Sequence, residues 1–292
     1  MSARADEAIG AVAVVGGGFM GAGIAESVAV AGVPVTVRDV DDERIADASR
    51  RIVASLDRAL AADKIDAARR EEALGRISTT TSLEEAVVGS DLIVEAVPEV
   101  LEAKQQVMRE LDGFASSDAI IASNTSSIPI AQLAAEVRRA DQVVGLHFFA
   151  PVPVMGLVEV VRTLDTSDRV MTVVRDFAER IGKRPIETKD RSGFIVNMLL
   201  VPYLMAAVRM YEEGFATRED IDDGMCLGCG YPMGPLHLCD LIGIDVLYAV
   251  CDSLFEEFKR DEYAPPPLLK RMLASGRLGR KSGLGFYEYG SG

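Results

Sequence analysis

The sequence predicts an α/β protein, a doubly wound sheet domain followed by an all-helical domain. Three observations carry that prediction. A strand-length apolar run, 11–15, opens directly into Gly16-Gly17-Gly18-Phe19-Met20-Gly21 and an Ala-rich stretch. Strand-like and helix-like segments then alternate as far as residue 190, the signature of strand–helix–strand units. Beyond that point the apolar spacing is helical almost to the last residues.

In chain order, the glycine pattern reads G-x-G-x-x-G between a strand and a helix (22–31) that stops at Gly32. Such a loop needs glycine for a tight turn, for close approach of the backbone to a pyrophosphate, and for helix–strand packing; the helix amino terminus adds N–H groups and positive dipole. A second strand, 34–38, ends at Asp39. An acid there is placed to hydrogen-bond the adenosine ribose and to repel a 2′-phosphate, which selects NAD over NADP, with Arg38 as a neighbour that softens the preference. The expected cofactor contacts are Gly16, Gly18, Phe19, Met20, Gly21 and Asp39.

Helices over 41–62 and 66–74, the first with Ile45, Ile52, Val53, Leu56 and Leu60 at helical spacing, read as a hairpin of about 41–75 inserted after the second strand. Strands at 76–79 and 92–97 follow, then a helix over 99–111. On spacing alone Glu99 is a helix cap and Lys104 a surface cation. A fifth strand, 119–122, runs into Ser123-Asn124-Thr125-Ser126-Ser127, which serves as a helix cap, as part of a site, or as both.

The next strand, 142–146, delivers His147, Phe148, Phe149 and a Pro-x-Pro turn. Chemistry in α/β proteins sits at the carboxyl ends of strands. Glu159 lies in the following apolar run, 157–161, read as a strand beside the first. A carboxylate among aliphatics needs a partner, and an imidazole supplies one, giving a His–Glu acid–base pair; the other reading is a satisfied core histidine and an unrelated glutamate. A helix over 167–181 and a strand at 184–188 complete the sheet domain. Four helices, 194–213, 218–227, 236–259 and 267–274, and a short strand at 286–287 make up the remainder. The domain division is therefore 1–190 and 191–292. The long apolar helices carry more apolar surface than one contact face buries, which suggests a subunit interface.

Composition restricts the function classes. The chain of 292 residues is 49% hydrophobic and 26% charged, enough for a sizeable core, and its net charge of −14 argues against nucleic acid and anionic membrane surfaces as partners. Residues 1–10 show no apolar signal-peptide core. The longest apolar run, 194–210, is interrupted by Asn197, Pro202 and Arg209 and reads as a buried helix, with no membrane span. Four cysteines give no disulfide framework, and a cytoplasmic location is the expectation. Cys226, Cys229, His237 and Cys239 have the ligand types of a zinc site. Their setting, 228–235, is a Gly/Pro turn between helices in which small cysteines pack, so no metal is expected.

Laid end to end, these stretches resemble the short-chain L-3-hydroxyacyl-CoA dehydrogenases, in particular the bacterial 3-hydroxybutyryl-CoA dehydrogenase group. The motifs are Gly16 to Gly21, Glu95-Ala96-Val97-Pro98-Glu99, Ser123 to Ser127, His147-Phe148-Phe149 with Pro151-Val152-Pro153, Ser192 to Asn197, Pro232-Met233-Gly234-Pro235, and Gly279 to Gly283 with Gly285-Phe286-Tyr287. The resemblance implies a Rossmann-type NAD-binding domain and a helical domain for substrate and dimerisation. It implies a homodimer through the helical domain and an (S)-3-hydroxyacyl-CoA substrate oxidised to the 3-ketoacyl thioester. It carries the catalytic pair onto His147 and Glu159, the substrate-contacting polar residues onto Ser126 and Asn197, and further cofactor contacts onto Glu99 and Lys104. Ser55 and Lys64 in the hairpin are the candidates for the CoA nucleotide. The sequence departs from the family at Ala150, where the family has asparagine, and in a hairpin thin in lysine. A hydroxyacyl group on an acyl carrier protein, or a small hydroxy acid, is therefore the alternative substrate, and a non-catalytic NAD-binding structural protein is the alternative from another class.

Overall fold

The computed structural model describes residues 8–290. The chain divides into two compact units between Arg191 and Ser192. The first contains β1 (Val12–Val15), α1 (Phe19–Val30), β2 (Val35–Arg38), α2 (Asp42–Ala61), α3 (Ala67–Gly75), β3 (Ile77–Thr80), α4 (Leu83–Val87), β4 (Leu92–Glu95), α5 (Leu101–Phe114), β5 (Ile120–Ser123), α6 (Ile130–Ala134), β6 (Val143–Phe148), β7 (Leu157–Arg162), α7 (Asp168–Arg180) and β8 (Arg184–Lys189). Among the described residues the strands form one eight-stranded sheet in the order β3-β2-β1-β4-β5-β6-β7-β8.

Every pairing in this sheet is parallel except β6 with β7, which is antiparallel. The central strands β1, β4 and β5 are buried at every position, as continuous Val/Ile/Leu runs demand when helices cover both faces of a parallel sheet. The order reverses between β1 and β4, so a crevice opens at the carboxyl ends of these strands. Asp41 and Asp66 cap α2 and α3 by accepting from Arg44 N and Arg69 N, and Ala48, Ile52 and Leu56, four residues apart, bury one face of α2.

The second unit is helical: α8 (Val196–Glu212), α9 (Arg218–Cys229), α10 (Pro235–Ile242), α11 (Ile244–Phe258) and α12 (Pro267–Ala274). Its core gathers Leu204, Met205 and Val208 of α8 with Leu236 and Cys239 of α10 and Leu247, Cys251 and Leu254 of α11.

Two elements differ from expectation. The helix expected over 236–259 is two helices, broken at Gly243, whose φ of +101° no helix accepts. Apolar spacing continues across the break, which is why periodicity alone merges the two. The strand expected at 286–287 is present only as isolated bridges, Gly279 with Leu284 and Leu284 with Glu288. The N–H groups of Phe286 and Tyr287 donate instead to the buried Asp240 carboxylate, each at 2.9 Å. The five-residue helices α4 and α6 escape a periodicity reading because they are barely longer than one turn.

Candidate active site

The glycine loop is shaped by its neighbours. Gly16 has φ +106°, and a Cβ there would stand 2.6 Å from Ala96 O; a Cβ on Gly21 would stand 1.8 Å from Gly16 O. Neither position tolerates a side chain. Gly18, the residue capping α1, has nothing within 4 Å of its absent Cβ, so open space lies before the helix amino terminus. Asp39 follows β2 and accepts from Gly17 N at 2.8 Å and Val40 N at 2.7 Å. Arg38 donates through Nε to Thr81 O at 3.2 Å. Phe19 is exposed and Met20 half-buried at the first turn of α1. Free N–H groups, open room and a carboxylate at the second strand end fit the pyrophosphate and adenosine ribose of a dinucleotide.

One strand further into the crevice, Glu95 ends β4 fully buried. One of its oxygens accepts from Lys104 Nζ at 2.8 Å and Val97 N at 2.7 Å, the other from Ser123 Oγ at 2.6 Å. Ser123 is its register partner on β5. Lys104 is no surface cation: it is 1% exposed, and Nζ also reaches Val97 O at 3.0 Å and Glu99 at 3.3 Å. An ammonium removed from water persists only with such a full set of acceptors. Glu99 in turn gathers the serine-rich loop, accepting through one oxygen from Thr125 Oγ1 (2.6 Å), Ser126 N (2.8 Å), Ser127 N (3.1 Å) and Ser127 Oγ (3.1 Å). Burial pushes the Glu99 carboxyl up, but the Lys104 ammonium and the bonds from Thr125 and Ser126 outweigh it and hold the group below the usual carboxylate range. The side chain of Asn124 accepts from Phe148 N at 2.9 Å and so ties this loop to β6.

His147 and Glu159 are opposed in the β6–β7 register, so their side chains share one face. Glu159 is fully buried and His147 is 4% exposed. Nδ1 of the ring lies 2.6 Å from Glu159 Oε2, and Nε2 lies 3.0 Å from Ser126 Oγ. With Nδ1–H donated to the carboxylate, Nε2 is the acceptor and the Ser126 hydroxyl its donor. Phe149 meets the ring edge-on at a centroid distance of 4.6 Å. A continuous chain of contacts therefore runs from Glu95 through Lys104, Glu99 and the Ser126 backbone to His147 and Glu159.

Each of the remaining candidates sits within its own unit. Asn197 occupies the first turn of α8 in the second unit. Lys64 is exposed at the turn between α2 and α3, whereas Ser55 on α2 is half-buried and donates its hydroxyl to Glu26 on α1. Ala150 is exposed at the start of the β6–β7 turn. The second histidine, His237, donates through Nδ1 to Asp222 at 2.6 Å and stacks on Tyr287 at 3.7 Å, beside a cavity of about 340 Å³. Among the described residues no three His, Cys, Asp or Glu side chains are grouped to hold a metal ion, and no helix is long and apolar enough to cross a membrane. Sequence reasoning missed Glu95 as an organiser of the site. Its signal was an acid at the end of an otherwise aliphatic strand, the same signal that singled out Glu159.

Two family models match in succession: 3-hydroxyacyl-CoA dehydrogenase, NAD binding domain, over residues 11–191, and 3-hydroxyacyl-CoA dehydrogenase, C-terminal domain, over residues 193–289. The chain is 50% identical over 285 residues to the 3-hydroxybutyryl-CoA dehydrogenase of Mycobacterium tuberculosis, covering 97% of this chain and 99% of the relative. It is 43% identical to the human mitochondrial hydroxyacyl-coenzyme A dehydrogenase, over 95% of this chain and 90% of that one. Among solved structures, the (S)-3-hydroxybutyryl-CoA dehydrogenase of Ralstonia eutropha superposes with a TM-score of 0.91 at 42% identity, over 97% of this chain and 100% of that chain.

Proposed function

This chain belongs to the 3-hydroxyacyl-CoA dehydrogenase family, and we propose that it interconverts (S)-3-hydroxybutyryl-CoA and acetoacetyl-CoA with NAD, using His147 and Glu159 as its acid–base pair. The observation that supports this reading is the cross-strand His147–Glu159 contact with Ser126 on the far side of the same ring.

His147 Nε2 accepts the proton of the substrate 3-hydroxyl, and Glu159, holding Nδ1–H, steadies the imidazolium that results. Bound NAD would supply the acceptor for the hydride that leaves substrate C3. Ser126 Oγ hydrogen-bonds the same substrate oxygen and orients C3, and Asn197 is assigned to a further substrate oxygen by its motif. In the reverse direction His147 returns the proton to the forming alkoxide. Asp39 and the glycine loop hold the adenosine half of the cofactor, with Glu99 and Lys104 ordering the region of its second ribose.

Lys64 is the cation offered to the CoA nucleotide. It is the single lysine of the hairpin, residues 41–75, and that scarcity favours a carrier-bound acyl group as the second reading. The enzyme acts as a cytoplasmic homodimer through the helical unit. Free cysteines support the first part of that statement. Exposed apolar side chains on the second unit support the other: Leu199 (73%), Phe215 (78%) and Leu227 (85%). Sedimentation of wild type and Leu227→Asp tests the dimer; a monomeric wild type rejects it.

The deciding assay is NADH oxidation by acetoacetyl-CoA beside acetoacetyl-pantetheine, with NADPH as control. A CoA ester turned over much faster than the stub supports the CoA reading. Equal rates move the substrate to a carrier protein, and no turnover of either rejects the function.

A further inference from the structure

The turn between β6 and β7 joins the two members of the proposed pair. It is closed by Val154 N and Met155 N on Pro151 O, both at 3.0 Å, and by Arg184 N on Gly156 O at 2.6 Å. A buried lysine lies beneath it. Lys183, just before β8, is 7% exposed, and its Nζ donates to Val152 O at 2.6 Å and Met155 O at 2.9 Å. Neither carbonyl belongs to the sheet ladder. A methionine would fill the same space without removing an ammonium from water, so what the charge contributes is the fixed position of these two carbonyls.

The other side of the turn rests on α1. A Cβ on Gly23 would stand 3.0 Å from Val152 Cβ, so a side chain there would press on the turn. Three residues on, Glu26 is 3% exposed and attracts Lys183. Burial pushes the Glu26 carboxyl up and the Lys183 ammonium down, and each offsets the other in part. Glu26 also holds Ser55 and attracts Arg58 of α2. One buried acid thus links the dinucleotide helix, the hairpin and the turn that leads away from His147.

We infer that Lys183 is a positioning residue for the His147–Glu159 pair: it pins the β6–β7 turn, which rests on α1, and so sets the His147 ring relative to the cofactor helix. The inference rests on the reading of that pair as the acid–base machinery. Phe149, at the start of the pinned turn and against the His147 ring, carries the effect.

The test exploits a chain with two histidines. In protein labelled with ¹⁵N-histidine, with His237→Gln to assign the signals, Lys183→Met is expected to shift or broaden the His147 ring resonances and leave those of His237 in place. Lys183→Arg is expected to restore them in part. Turnover of Lys183→Met is expected to fall about tenfold, with KM for NAD and thioester within about twofold, as displacement of a catalytic group predicts. Unchanged His147 resonances overturn the inference, as does a common shift of both histidines, which marks general loosening. Should Lys183→Met fail to fold, Glu26→Gln gives the same reading with a smaller shift. A wild type without thioester turnover defeats the functional reading, and the ring resonances still decide the positioning role.

Discussion

His147 and Glu159 stand directly opposite each other on antiparallel strands, with the ring nitrogen 2.6 Å from the carboxylate. The two lie in the one antiparallel pairing of an otherwise parallel sheet. Direct opposition is a property of that pairing, and it places an acid on the ring without any loop having to deliver it.

His147→Gln is expected to lower kcat by about 1,000-fold, within the usual range for a lost general base. The dissociation constant for NAD should stay within about twofold, since the base acts in the transition state. Glu159→Gln should lose less, about 100-fold, because the ring and its proton acceptor remain. Steady-state rates with fluorescence titration of NAD measure both. A loss of NAD affinity as large as the loss of kcat in His147→Gln would falsify the assignment.

Lys104→Met leaves the fully buried Glu95 carboxylate without its ammonium, the costly way to break a buried pair. The expected loss is about 3–5 kcal/mol of unfolding free energy, measured by urea denaturation. Adding Glu95→Gln should recover part of it, since the amide oxygen still accepts from Val97 N and the amide N–H donates to the Ser123 hydroxyl, which turns to accept it. Purely additive losses would mean that the two side chains are not coupled.

Glu99 gives a pH signature. Its carboxyl is held below its ordinary value, so the unfolded chain binds a proton that the folded chain does not. The stabilisation is therefore complete above the ordinary carboxylate range and is lost as pH falls through the lowered folded value. In a series of denaturation curves, the advantage of wild type over Glu99→Gln should stay level from neutrality down to the ordinary carboxylate range and shrink as pH falls below it. A gap that stays constant or widens below that range contradicts the assignment.

Asp39→Ala should raise KM for NAD by about tenfold or more, the worth of a hydrogen bond to a charged group. It should narrow the preference for NAD over NADP, because the carboxylate that repels a 2′-phosphate is gone. Initial rates with the two cofactors decide this; an unchanged ratio would move the discrimination elsewhere.

Much of this was legible in the sequence because it is local. The β1–glycine–α1 unit, the helical hairpin and the change to helical spacing near residue 190 each follow from periodicity and glycine within short windows. Glu159 was legible for another reason, as a charge in a run that leaves no aqueous place for it. The break at Gly243 was not, since a single φ interrupts a pattern that continues on both sides.

By itself the sequence determined the order of elements and the glycine loop with its acid at Asp39, and it offered His147 and Glu159 as a pair beside the alternative of a core histidine and an unrelated glutamate. Only the tertiary structure decided the fate of Lys104, Glu95, Glu26 and Lys183. A lysine five residues into an exposed-looking helix, or one beside a helix-stopping glycine, reads as a solvated cation. What buries it is a set of acceptors brought from elsewhere: Glu95 and Val97 for Lys104, Val152 and Met155 for Lys183. These partners are 7 to 31 residues distant in the chain, and the cost of burying an ammonium is met only once the sheet has brought them together.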